Sequence, residues 1–206
     1  MRRHDPAPDG VTAGIAEAAV TKPRPMRADA RRNYERILAT AREAFRQHGP
    51  DAPLDDIARR AGVGAGTLYR HFPRRESLIE AVYSEDIKRL CDLAYRLLEE
   101  HEPREALAAW MGEQVQYATR KRGLAATLKV AMDKNSATFA LCKILMNEAA
   151  AAMLKTAQDA GVVRDKVQPR DLLLLAHGLA VAVEADPEAF ERLLTVMLDG
   201  LKPQER

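Results

Sequence analysis

The sequence is poor in aromatic residues and in cysteine, and both shortages limit the fold and the environment that the chain can have. Only 5% of its 206 residues are Phe, Trp or Tyr, although 47% are hydrophobic. This aliphatic balance, in which Ala and Leu dominate, favours helices over sheets. The two cysteines, Cys91 and Cys142, form no Cys-x-x-Cys pair, which indicates a reducing compartment rather than a disulfide framework.

Long apolar runs and the usual marks of catalysis are also missing. No run reaches the roughly 18 apolar residues that a membrane helix needs, and no apolar segment follows Arg2 and Arg3, as it does in a secretory signal. The five histidines lie far apart without a His-x-x-x-His pair, and no nucleophile motif occurs. We therefore expect a cytoplasmic protein without membrane contact, metal, other cofactor or enzyme activity.

The small net charge of +2 conceals an uneven distribution. Residues 1–76 hold 15 Lys and Arg against 10 Asp and Glu, whereas residues 77–206 hold 17 against 20. A basic region beside a mildly acidic one suggests that the basic region meets a polyanion. Residues 1–27 lack periodicity and are expected to form a disordered arm, which either reaches along a nucleic-acid backbone or is a solvated tail without a role.

Beyond the arm, the pattern predicts short helices close together. Apolar residues recur at three- and four-residue steps from about Ala28 until Gly49 and Pro50 end the helix. A second helix is predicted in "PLDDIARRAG" and a third, short one over about 65–72. A P-loop or a Rossmann turn needs a strand before its glycines, and here an amphipathic helix precedes them. The glycine-rich stretch therefore predicts a helix-turn-helix.

The motifs "RILATAREAFRQHG" and "LDDIARRAGVGAGTLYRHFPRRESLIEAV" resemble the N-terminal domain of TetR-type transcriptional repressors. The resemblance covers about a quarter of the chain. It implies a recognition helix that begins at Ala65, Gly66 and Thr67 and enters the major groove of DNA. It also implies phosphate contacts from the side chains at the end of that helix and at the start of the next, namely Tyr69, His71 and Arg75.

Two hydroxyls that the family often places near these helices are absent, because the chain has Ala52-Pro53 and Gly64 at the matching positions. Thr67, Arg70 and Ala65 are the better candidates for base edges, while Arg31 and Arg32 are further candidates for backbone contacts. The alternative for His71 is that it packs against the fourth helix, the one that begins near Arg75. The alternative for Tyr69 is a partly buried ring whose hydroxyl makes no contact with DNA.

The body is predicted to continue as helices over about 104–119, 121–133, 136–160, 169–185 and 187–201. The last two are so apolar that both sides must be buried, in a homodimer interface or within one chain. The residues assigned to the interface are Leu172, Leu175, Ala176, Leu179, Val183, Leu194, Met197 and Leu198. The residues assigned to a pocket for a small, apolar or amphipathic effector, each of which is more often core, are Trp110, Met111, Tyr117, Met132, Phe139, Cys142, Met146 and His177.

Together these patterns predict an all-α protein. Residues 28–76 form a three-helix helix-turn-helix DNA-binding domain, and residues 77–206 form a larger helical domain for ligand binding and dimerisation. The resemblance implies a dimer that binds a palindromic operator in double-stranded DNA and is released by a small molecule. A DNA-binding dimer that is controlled by a protein partner, or not controlled at all, is the alternative.

Overall fold

The computed structural model describes residues 28–131 and 137–203, with the side chains of 121–131 left aside. The predicted arm and Met132 lie outside the described residues. Within those two ranges the chain is helical and contains no strand, which confirms the all-α prediction. The helices are α1 (Ala28–His48), α2 (Leu54–Arg60), α3 (Ala65–His71), α4 (Arg75–Glu100), α5 (Pro103–Ala131), α6 (Ala137–Asp159), α7 (Pro169–Ala185) and α8 (Phe190–Leu201).

The helix boundaries depart from the sequence prediction at two places. The predicted break at Gly123 is wrong, because α5 continues through it as one helix. One glycine inside a helix costs only about 1 kcal/mol relative to alanine, and the packing of α5 against α4 and α7 outweighs that cost. The predicted helix over 187–201 begins as a 3-10 turn, Pro187–Ala189, before α8.

The first three helices enclose a small core of their own. Ile37 of α1, Ile57 of α2 and Leu68 of α3 are completely buried. Phe45 and Phe72 close this core from two sides and are 1% and 3% exposed. Three helices that share such a core hold one another at fixed angles, so the third helix has a defined direction.

Helix α4 is the long element that connects the three-helix unit α1–α3, here called the head, to α5–α8, here called the body. It packs against α1 at one end and against α5 and α6 along its length. The expected domain limit between residues 76 and 77 falls within its first turn, so α4 belongs to both parts. A displacement along this helix therefore changes the direction of the head.

The body core is built around α5 and its neighbours. Trp110 is completely buried, and its indole Nε1 donates a 3.1 Å hydrogen bond to the carbonyl oxygen of Leu90. Met111, Met153 and Leu172 are also completely buried. Helix α6 is long and apolar enough, by length and composition alone, to cross a membrane. Helices in protein cores have the same composition, and α6 packs against α4, α5 and α7.

Candidate nucleic-acid interface and head–body cavity

Gly62 makes the turn between α2 and α3. Its φ of +64° lies in the left-handed region, which side chains with a Cβ rarely adopt. The Val63 backbone N–H donates to the carbonyl of Ala58 at 3.0 Å and so ends α2. Gly64 has an extended backbone, so of the glycines that predicted this turn, Gly62 is the one whose conformation requires glycine.

The predicted recognition helix presents most of its polar side chains outward. Leu68 is its completely buried anchor, while Tyr69 on the next position is 44% exposed. Arg70 is exposed and Thr67 is half-buried, and the short residues Ala65 and Gly66 are exposed at the helix start. The N-termini of α2 and α3 lack side-chain caps, as the missing hydroxyls at Ala52-Pro53 and Gly64 predict.

His71 packs within an aromatic cluster instead of standing free. Its ring lies edge-on to Tyr34 of α1 with centroids 5.9 Å apart, and Tyr34 stacks on Phe72 at 5.3 Å. The imidazole remains half-buried. The structure thus agrees with the packing alternative for His71, although the partner is on α1 and not on the fourth helix.

Arg75 requires a correction, because its side chain is used inside the protein. Its Nη1 donates to the carbonyl of Pro50 at 2.8 Å and to that of Ala52 at 2.5 Å, joining α4 to the turn after α1. These buried carbonyls compete with any phosphate for the same guanidinium. The neighbouring Arg74 is exposed and is the better candidate for a backbone contact, a choice that the sequence of two adjacent arginines leaves open.

Arg31 and Arg32 lie on the exposed first turns of α1. Arg31 pairs with Glu35 at 2.9 Å, and Arg32 pairs with Asp29. Ion pairs as exposed as these stabilise a protein by about 1 kcal/mol or less. Both arginines can therefore exchange their carboxylate partners for phosphates at little cost.

The residues predicted for an effector pocket fall into two groups, some in the body core or on its surface and others beside a cavity. Trp110 and Met111 are completely buried core residues, and Met146 accepts a hydrogen bond from Gln114 at 3.1 Å. His177 is exposed on α7. Of the remaining described residues, Cys142 is buried in α6, and Phe139 stacks on Tyr83 with centroids 5.8 Å apart. Tyr83 and Tyr117 line the same cavity.

That cavity lies where α1, α4 and α5 meet, and its volume is about 660 Å³. Apolar side chains from α1 and α4 form part of its wall, together with Tyr83 and Tyr117. The rest of the wall is charged, and it includes five arginines and four carboxylates: Arg42, Arg46, Arg89, Arg96, Arg120, Glu43, Asp86, Asp92 and Glu113. A lining assembled from three helices leaves no local signal in the sequence.

Arg42 is the most constrained charge in this wall. Its Nε donates to Asp86 Oδ1 at 2.5 Å, and both side chains are about one-quarter exposed. The Nη2 atom of Arg42 is buried and has no hydrogen-bond acceptor within the described part of the chain. Burial raises the pKa of the Tyr83 phenol in the same wall to about 12, with a smaller contribution from Cys142.

The residues predicted for the dimer interface divide into two groups. Leu172, Ala176, Leu179 and Val183 are buried within the chain itself, so their assignment to an intersubunit surface is corrected. The others are accessible: Leu175 is exposed on α7, and the α8 residues are half-buried, namely Leu194, Met197 and Leu198. Three exposed side chains that the prediction omitted join this surface: Leu174, Val181 and Val196, which are 55%, 42% and 62% exposed.

Two family profiles match the chain, one for each part. Residues 37–82 match the family described as bacterial regulatory proteins, tetR family. Residues 102–203 match the family described as transcriptional regulator SbtR-like, C-terminal domain. The two matches divide the chain along α4.

Individual proteins resemble the chain over most of its length. The HTH-type transcriptional regulator UidR of Escherichia coli K12 is 27% identical over 194 residues, covering 85% of this chain and 96% of that protein. The TetR transcriptional regulator SCO0520 of Streptomyces coelicolor is 40% identical, covers 84% of this chain and 99% of its own, and superposes with a TM-score of 0.73. A TetR regulatory protein of Mycobacterium vanbaalenii is 36% identical over 87% of this chain and 100% of its own, with a TM-score of 0.71.

Proposed function

The chain belongs to the TetR family of transcriptional regulators, and from this premise we propose that it is a cytoplasmic, dimeric repressor released from a palindromic operator by a small molecule. Binding of DNA through a helix-turn-helix is shared by the family. The repressor activity, the dimer and the release are our proposal. The observation that carries it is the outward, polar face of α3 on a rigid three-helix head.

The exposed face of α3 suits the division of work that DNA-binding proteins use. Arg70 can bind guanine through two hydrogen bonds, and the methyl groups of Thr67 and Ala65 can contact thymine. Tyr69 and Arg74 are exposed and are our candidates for phosphate contacts, which position the head without reading sequence. Arg75 joins the start of α4 to the turn after α1 through its hydrogen bonds to Pro50 and Ala52.

The dimer surface that we propose lies on the outer side of α7 and on α8. Leu174, Leu175, Val181 and Ala182 recur at helical spacing and are exposed, so the outer side of α7 is largely apolar, with His177 as a polar residue among them. A self-complementary contact through this surface creates a two-fold axis. A two-fold dimer places two copies of α3 on successive turns of a palindromic site.

The test is binding of the full-length protein to the promoter region beside its own gene, measured by fluorescence anisotropy with and without a panel of metabolites. We expect saturable binding that exceeds binding to random DNA, and release by at least one compound. Binding that is no stronger than to random DNA contradicts the proposal of an operator there. Indifference to every compound favours control by a protein partner, or no control.

A further inference from the structure

We propose that the cavity between α1, α4 and α5 binds an organic anion, namely a carboxylate on an apolar or aromatic body, and that the carboxylate binds the guanidinium of Arg42. The proposal deepens the proposed function, since it assigns a place and a chemical class to the effector. It narrows the apolar or amphipathic effector that the sequence suggested to an amphipathic anion.

The first support is the unsatisfied donor on Arg42. A guanidinium has five N–H donors, and a buried donor without an acceptor is costly to the folded state. Nη2 of Arg42 is buried and has no acceptor among the described residues, while Nε of the same group is already bound to Asp86 at 2.5 Å. Nη2 itself is out of reach of solvent, but Arg42 lines the cavity, so a ligand carboxylate there can supply the missing acceptor when the guanidinium turns toward it.

The second support is the way in which the other charges of the wall are used. Arg46 pairs with Glu43 at 2.5 Å, and Arg120 lies 3.9 Å from Glu113. Arg89 lies 3.6 Å from Glu85, just outside the lining. Asp92 and Arg96 are exposed and open to water. Among the charged groups of the wall, Arg42 is therefore the one that combines a buried donor atom with a missing hydrogen-bond acceptor.

The third support is the size and chemistry of the remaining wall. A volume of about 660 Å³ falls in the range of small-molecule pockets. Ile79, Val82 and Leu90 provide aliphatic contacts, and the rings of Tyr83 and Tyr117 provide flat apolar surface. A fused aromatic ring system with one carboxylate combines both requirements.

A carboxylate on Arg42 also has a mechanical consequence. The Arg42–Asp86 ion pair joins α1 of the head to α4, the helix that enters the body. A ligand anion competes with Asp86 for the same guanidinium and weakens this connection. If the proposed function holds, the protein that has bound the anion is the form in which the heads no longer fit the operator. Linkage requires that an effector which releases DNA binds this form more tightly.

The experiment uses three probes of nearly equal shape: 2-naphthoate, 2-naphthalenemethanol and 2-naphthylmethylamine. Binding to the full-length protein without DNA is measured by isothermal titration calorimetry. We expect the anion to bind roughly tenfold or more tightly than the alcohol, since a charge-assisted hydrogen bond is about twice as strong as a neutral one. The cation is expected to bind most weakly.

Two variants distinguish an anion-binding site from a purely structural ion pair. Both remove the Arg42–Asp86 ion pair, but only the Arg42 variant also removes the guanidinium that would bind the anion. Arg42→Gln is expected to remove the preference for naphthoate over the alcohol. Asp86→Asn is expected to strengthen naphthoate binding, since it leaves Arg42 without its competing carboxylate. Arg89→Gln, at the rim of the same wall, is the matched control and is expected to change the preference by less than about twofold, as for an exposed pair.

Equal binding of the three probes, absence of binding by naphthoate, or a loss of its binding in both Arg42→Gln and Asp86→Asn overturns the proposal. Should Arg42→Gln fail to fold, the probe series on the unmodified protein and the Asp86→Asn variant still decide it. Release of operator DNA is measured separately. A naphthoate site that obeys these expectations without releasing DNA keeps the anion site and removes the release step from the proposed function.

Discussion

The outer faces of α3 and α7 differ in chemistry, although the two helices pack in a similar way. Each helix anchors itself with completely buried leucine, Leu68 in α3 and Leu172 in α7. Each leaves large side chains outside, with Tyr69 44% exposed and Leu174 55% exposed. The exposed side chains of α3 include a phenol and a guanidinium, whereas those of α7 include the aliphatic Leu174 and Val181 beside the imidazole of His177.

The difference teaches that burial determines the fold and that the exposed side chains determine the partner. Burying the polar donors on α3 costs their hydrogen bonds to water, and a polyanion is a partner that can replace those bonds. Aliphatic side chains on α7 gain about 25 cal/mol for each Å² that a second apolar surface covers. The two surfaces are therefore expected to respond in opposite ways to salt, charge and truncation of side chains.

The strongest test of this comparison is a charge placed on α7. We expect Leu174→Glu to dissociate the dimer, with a cost of about 3 kcal/mol or more because an unpaired carboxylate becomes buried. Leu141→Glu on α6 is the matched control, since Leu141 is also 55% exposed. Sedimentation velocity measures both. Monomers from both variants, or from neither, would remove α7 from the interface.

Within the head, the two adjacent arginines should differ in kind. Arg75→Ala is expected to lower the free energy of unfolding by about 2 kcal/mol, because two carbonyls lose a charged donor. Arg74→Ala is expected to leave stability unchanged and to reduce the salt dependence of DNA binding by about one unit. Urea unfolding and binding across a salt series measure these effects. The reverse assignment of the two effects would restore Arg75 as the phosphate contact.

On α3 itself, base reading and backbone contact can be separated. Arg70→Ala is expected to cost about 1–3 kcal/mol on the operator and to relax specificity at one base pair. Tyr69→Phe is expected to weaken binding to operator and random DNA alike, and by less. Competition binding with single-base operator variants distinguishes them. An unchanged base preference in Arg70→Ala is incompatible with direct readout by this side chain.

The smallest effect is expected in the body core at high pH. Burial raises the pKa of the Cys91 thiol from 9.0 to about 11, with Asp92 contributing next. The unfolded chain therefore loses this proton first, and stability falls as the pH rises from about 9 through 11, by on the order of 1 kcal/mol. Unfolding of Cys91→Ala across that pH range is expected to show a smaller slope. A slope identical to that of the unmodified protein contradicts the assignment.

The sequence predicted the helices and the recognition helix because their signals are local. The apolar spacing from Ala28, the glycine at position 62 and the break after Phe72 each act within one or two turns of chain. The boundary at Gly123 was predicted wrongly for the same reason, since the support of α5 by α4 and α7 comes from distant parts of the chain.

The assignments that failed depend on which way a side chain faces. An apolar residue in an apolar helix gives no sign of whether it meets its own bundle or a second subunit, and Leu172 and Leu174 differ only in that respect. Arg74 and Arg75 are indistinguishable in sequence, and the carbonyls of Pro50 and Ala52 select one of them.

The amino-acid sequence alone determined the all-helical fold, the glycine turn and the polar face of α3, because periodicity and backbone conformation are properties of neighbouring residues. Only the tertiary structure decided the location of the cavity, the unsatisfied donor of Arg42 and the apolar face left outside on α7. These features arise where helices far apart in the chain meet, and no local pattern encodes the distance between them.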